Sequence, residues 1–132
     1  MIFETSKNVN LEDLKMVHPA LLILHTATVL YCNEHNLPCE VTSIMSDREG
    51  LNESTKTHTE GRAFDLSVKG WTDTHIHRFV YLMNRDYADI AAISQSDLKP
   101  RAVVYHDVGH GEHLHLQVRK NAPVYKFVSW KE

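Results

Sequence analysis

The sequence predicts an α+β domain: a small, mainly antiparallel sheet with helices packed on one face and polar side chains on the other. Two stretches with strand periodicity and two with helix signals predict it. From residue 62 to 68 the side chains alternate, with Phe64, Leu66 and Val68 on one parity and Ala63, Asp65 and Ser67 on the other. From 112 to 118 the alternation recurs, with Leu114, Leu116 and Val118 opposing His113, His115 and Gln117. Successive strand side chains point to opposite faces. If two such strands share a sheet over one core, Asp65, His113 and His115 must project together from its outer face. The helix signals are Pro19 at the head of a long apolar run, and Thr72 or Asp73 at the head of a periodic one.

The whole chain narrows the function classes. With 132 residues and ordinary apolar content, a single domain over 1–132 can bury a core without staples. The formal net charge is -3, and Lys and Arg are scattered singly or in pairs, which predicts no nucleic-acid partner. Cys32 and Cys39 lack Cys-x-x-Cys spacing and fit reduced thiols in a cytosolic protein. The first residues lack a basic region followed by an apolar run, so no signal peptide is expected. The longest apolar segment, residues 20 to 32, is interrupted by His25, Thr26 and Thr28 and falls short of the ~20 residues that span a bilayer.

In chain order, Asn10 is placed to cap a short helix over residues 11 to 14, and Pro19 opens a longer one ending near Asn36. Ala20, Leu21, Ile23, Leu24, Ala27, Leu30 and Tyr31 are its expected core residues, with His25 packed among them. Residues 40 to 45, rich in β-branched side chains, predict the first strand. Ser46 and Glu49 then stand at capping-box spacing, so a short helix or turn presents Arg48 near that strand's end. After the strand around Asp65, Gly70 breaks the chain, and a helix to about Asp86 buries Ile76, Phe79, Val80 and Met83. His75 and His77 diverge on that helix and are expected to be solvated. Residues 89 to 99 read as a connector, and Pro100 bars a central ladder from running through it. Residues 101 to 106 predict a strand that forms a hairpin with the histidine strand, and His106 and His110 are expected to be solvated. Residues 119 to 132 read as a short closing segment.

The chemistry gathers around His58 and Asp65, seven positions apart with Gly61 between them. On a helix they would stand roughly 10 Å apart along the axis, too far to hold one ion. Gly61 permits a tight reversal before the strand, so a polar loop can fold His58 back onto Asp65. His113 and His115 offer further ligands. Neutral imidazole and carboxylate suit zinc, and two His plus one carboxylate with an open water position is a catalytic ligand count.

The run His58-Thr-Glu-Gly61-Arg-Ala63-Phe-Asp65 is a full match to the His-x-x-Gly-x-Ala-x-Asp signature of the zinc peptidases of the lysostaphin, D-alanyl-D-alanine peptidase and hedgehog group. His113-Leu-His115 follows, as their third-ligand strand does. The chain resembles that group over about residues 18 to 118, especially the D-Ala-D-Ala carboxypeptidases and the phage or bacterial L-alanoyl-D-glutamate peptidases. The resemblance implies that His58, Asp65 and His115 hold Zn2+ and that Arg48 contacts a substrate carboxylate, for which its bidentate fork is suited. It offers two general bases. Glu112 stands three before His115, as in members with Glu-x-x-His, and His113 two before it, as in members with His-x-His. On an unbroken strand His113 shares a face with His115 and Glu112 does not, but a bulge at Gly111 would turn Glu112 inward. Glu112 is the more usual water activator, with His113 then stabilising the tetrahedral oxyanion.

The implied function is zinc-dependent hydrolysis of a peptide bond in peptidoglycan stem peptides, of the L-Ala-D-Glu endopeptidase or D-Ala-D-Ala carboxypeptidase type. Small size, no evident signal peptide and no wall-binding module resemble a phage endolysin, held in the cytoplasm and acting on the cell wall after release through a pore made by another protein. The expected partner is the stem peptide, with no nucleic acid and no membrane, and the expected state a monomer. The rival is a non-catalytic zinc-containing binding domain of the same fold. Glu112 and Arg48 favour the enzyme. A cupin-type β-barrel, which also uses His-x-His strands, would need an almost entirely β sequence.

Overall fold

The computed structural model describes residues 4–7, 9–44, 57, 60–94, 97–107 and 112–124. In chain order it has a 3-10 helix Leu11–Met16, helix α1 Pro19–His35, strands β1 Val41–Ser43 and β2 Ala63–Ser67, and helix α2 Asp73–Asp86. Strands β3 Ala92–Ile93, β4 Pro100–Arg101, β5 Val103–Asp107 and β6 Glu112–Gln117 follow. The class is α+β, as expected. One sheet runs β1, β2, β6, β5 with every neighbouring pair antiparallel, and β3 pairs with β4 apart from it.

The register between β2 and β6 separates the two faces. Phe64 stands opposite Leu116 and Leu66 opposite Leu114, while Asp65 stands opposite His115 and Ser67 opposite His113. Directly opposed residues share a face. The apolar pairs join Val103 of β5, Leu21, Leu24 and Tyr31 of α1, and Phe79 and Met83 of α2 in one core, all of them essentially inaccessible to solvent. Being central, β2 is buried on both faces from Ala63 to Leu66.

Local chemistry sets the helix ends. Asn10 Oδ1 accepts from the Glu12 N–H at 3.0 Å, and Thr72 Oγ1 accepts from the His75 N–H at 3.2 Å, satisfying donors that a helix start leaves open. Asn36 closes α1 with φ 55° in the left-handed region, and the Leu37 N–H reaches the Cys32 carbonyl at 2.8 Å. The cap at the other end of α1 was not legible: His18 Nδ1 accepts from the Ala20 N–H at 3.0 Å, which leaves Nε2 to donate to the Lys120 carbonyl at 3.2 Å. β5 is an edge strand. Asn84 of α2 covers it, its amide accepting from the Val103 N–H at 3.0 Å and donating to the Val103 carbonyl at 2.9 Å.

Some expectations need correcting. Leu30 is exposed, because α1 turns its Leu24, Ala27, Tyr31 stripe to the sheet and Leu30 lies off it. On α2, Leu82 is buried and Val80 only partly so, a shift of the stripe toward Met83. The connector at 89 to 99 holds β3, which pairs with the strand containing Pro100, and this short ladder accommodates a residue without an N–H. β1 is shorter than residues 40 to 45, with an irregularity between Val41 and Ser43. His75 is half-buried, 5.1 Å from the His35 ring, whereas His77 is exposed. Cys32 and Cys39 are free. Among the described residues no helix is long and apolar enough to cross a membrane.

Gly61 joins the site motif to the 3-10 helix. It adopts φ +70°, its carbonyl accepts from the His18 N–H at 2.8 Å, and a Cβ there would collide with the Met16 carbonyl oxygen. Gly61→Ala is therefore expected to lower the free energy of unfolding by about 1 to 3 kcal/mol, from left-handed strain alone. An unchanged urea midpoint would contradict this.

His25 lies wholly inside the core with its ring edge-on to Phe64, centroids 5.7 Å apart. Loss of water around the charged ring lowers its pKa from 6.5 to about 4. Between those values the unfolded chain binds the proton and the folded chain does not, so stability falls as pH falls from 6.5 toward 4. The loss reaches about 3 kcal/mol at ~1.36 kcal/mol per pKa unit. Chemical unfolding across that pH range should show this slope reduced in His25→Phe, and equal slopes in parent and variant would refute it.

Candidate active site

Two of the transverse rows on the outer face of the sheet gather the imidazoles and the carboxylate. Asp65, His115 and Val104 form one across β2, β6 and β5, and Ser67, His113 and His106 form the next. Asp65 and His115 are each only 4% exposed, deep for groups this polar. Asp65 Oδ1 lies 3.1 Å from His115 Nδ1 and 3.9 Å from His113 Nε2. Burial of a carboxylate is tolerable only with a compensating partner. A cation between Oδ1 and Nδ1, either a proton or a metal ion, would provide it. The donor chemistry fits zinc, which takes both imidazole nitrogen and carboxylate oxygen.

His115 is held from its other side as well. Its Nε2 lies 3.0 Å from Gln117 Oε1 and 3.4 Å from Thr57 Oγ1. The loop is tied here: the Thr57 carbonyl accepts from the Arg62 N–H at 2.6 Å, and the Arg62 carbonyl accepts from the Val118 N–H at 2.9 Å. The Arg62 guanidinium donates to the Val118 carbonyl at 3.0 Å and to Glu60 at 2.9 Å. Thr57 is thus fastened to β6, and Arg62 to Val118 just beyond it.

Of the sequence-predicted site, Asp65, His113 and His115 come together. Glu112, the first residue of β6, is exposed and has the parity of Leu114 and Leu116. Its Cα pairs with Asp107, and the register runs without a bulge to Gln117. From Glu112 to Gln117 each residue has its own register partner, and the bulge expected at Gly111 falls outside the described residues. Gly111, Arg48 and His58 lie outside the described residues. Among the described residues no group of three or more His, Cys, Asp or Glu side chains is arranged to hold a metal ion.

His106 belongs to the same constellation. Its ring centroid is 5.2 Å from that of His113 and 5.6 Å from that of His115. The signal was in the hairpin: pairing residue 107 with 112 makes 106 the partner of 113 and gives it the same face. Beside the second row, Ser67 lines a cavity of about 300 Å³ with Pro38, Glu40, Lys69 and Gly70. Compared with protein-family models, with curated proteins and with solved structures, the chain matches none.

Proposed function

We propose that the chain is a zinc metallopeptidase acting on the stem peptides of peptidoglycan, by cutting either an L-Ala-D-Glu or a D-Ala-D-Ala bond. The observation that carries it is the buried approach of Asp65 Oδ1 to His115 Nδ1 at 3.1 Å, on the face opposite the core. The order and spacing of His58, Gly61, Ala63, Asp65 and His115, which resemble the zinc peptidase signature, supply the rest. An endolysin-like role, on the wall after release from the cytoplasm, follows from the same resemblance.

Asp65, His115 and His58 are assigned to hold the ion. Zinc, when bound, supplies an acidified water and polarises the amide carbonyl. Arg48 is assigned to a substrate carboxylate, since a guanidinium grips one through two parallel hydrogen bonds. For the proton acceptor, register favours His113, which shares the face of His115 and lies within 3.9 Å of Asp65. Spacing favours Glu112. We place the role on His113, whose imidazole stands on the same face as Asp65 and His115.

Substitutions separate holding the ion from turning over the substrate. His58→Ala, Asp65→Ala and His115→Ala are each expected to lose stoichiometric zinc and activity together, because each removes one of three protein ligands. His113→Ala is expected to keep zinc and lose turnover by ~10²- to 10⁴-fold, while Glu112→Gln stays within a few-fold of the parent. The reverse pattern would return the base to Glu112. Metal content by atomic absorption alongside initial rates reads both.

Purified peptidoglycan digested with the zinc-loaded protein should yield new amino and carboxyl termini, which mass spectrometry assigns to one of the two bonds. An intact wall after stoichiometric zinc loading would overturn the peptidase and leave the non-catalytic binding domain.

A further inference from the structure

We propose that Gln117 is a positioning residue that keeps a proton on His115 Nε2 and so turns the Nδ1 lone pair toward Asp65 and the metal. The second half rests on the zinc reading above; the first half concerns only where a proton sits and is independent of it.

Gln117 follows His115 by two on β6 and therefore shares its face. It is 3% exposed, so no bulk water completes its hydrogen bonds. Its Nε2 donates to the Arg101 carbonyl at 2.9 Å and to the Ala92 carbonyl at 3.4 Å. Ala92 and Arg101 are themselves register partners in the β3–β4 pair, so the two acceptors come from one ladder. This fixes the amide. A flipped Gln117 would set Oε1 against two carbonyl oxygens and leave both amide hydrogens without those acceptors, a loss that burial makes expensive.

With its NH2 committed to the carbonyls, Gln117 presents only an acceptor, Oε1, to His115 Nε2 at 3.0 Å. That contact requires Nε2–H. Thr57 Oγ1, at 3.4 Å from the same nitrogen, does not alter the result, since a hydroxyl rotates to donate or accept. A neutral His115 then has a bare Nδ1 facing the Asp65 carboxylate oxygen 3.1 Å away. Two acceptors at that distance form a cation site. A carbonyl that receives the far N–H of a metal-ligating imidazole fixes its tautomer and orientation, and loss of such a partner typically weakens metal affinity by ~10- to 100-fold.

The test is nitrogen NMR of the imidazoles in the full-length, metal-free chain, followed by titration with zinc and with NMR-active cadmium. In the parent, His115 Nε2 is expected to carry a proton, and cadmium to couple to Nδ1. Gln117→Met, similar in length but without the amide, is expected to move the proton of the neutral ring to Nδ1, where it donates to Asp65, and to weaken zinc binding by ~10- to 100-fold. Gln117→Glu restores an acceptor toward Nε2, although it loses the NH2 that faces the two carbonyls, and is expected to return the proton to Nε2. A purely structural Gln117 would lower stability in Gln117→Met while Nε2 kept its proton, and that result overturns the proposal. If Gln117→Met does not fold, the parent decides: a neutral His115 ring with a bare Nε2 overturns the proposal. A parent with Nε2–H that binds neither metal supports the proton assignment and removes the zinc reading instead.

Discussion

The structure depends on the unbroken antiparallel register between β2 and β6. It sets Leu66 against Leu114 and Phe64 against Leu116 on one face, and so sets Asp65 against His115 on the other. A slip of one residue would invert both faces at once, exposing the apolar pairs and driving a carboxylate and an imidazole into the core. The hydrophobic effect over the helix-covered face therefore enforces the geometry of the polar face. Stability and site are coupled through the two-residue period of the strand.

The polar face is supported by elements that make little core of their own. β3 and β4 contribute two residues each, yet their carbonyls hold the Gln117 amide that faces His115. The Gly61 turn docks on the end of the 3-10 helix through His18 and thereby ties the motif strand to the start of α1. Such positioning around a buried polar pair is what a metal or catalytic site requires, since ligands held loosely lose the ion.

Much of this was legible in the residues. Alternation placed Asp65, His113 and His115 on one face because the period of a strand is strict, and Asn10, Pro19, Asn36 and Thr72 marked helix ends because their side chains or dihedrals suit those positions. What was missed had weaker or non-local signals. β3 is two residues long and pairs only through the path of the chain, so no periodicity announces it. The His18 cap depends on a side-chain role usually taken by Ser, Thr, Asn or Asp. His106 reads as solvated when taken alone, although the register of its own hairpin places it beside His113. The choice between Glu112 and His113 turns on Gly111, which lies outside the described residues, whereas strand parity alone sets His113 on the face of His115.

The central claim is that this face binds zinc through imidazole nitrogen and carboxylate oxygen. X-ray absorption at the zinc edge of the loaded protein tests it most directly. The account predicts a four-coordinate ion with only nitrogen and oxygen neighbours at about 2.0 to 2.2 Å, including two imidazoles. Sulfur neighbours near ~2.3 Å would move the ion to Cys32 or Cys39 and contradict the account, as would a well-folded protein that takes up no zinc.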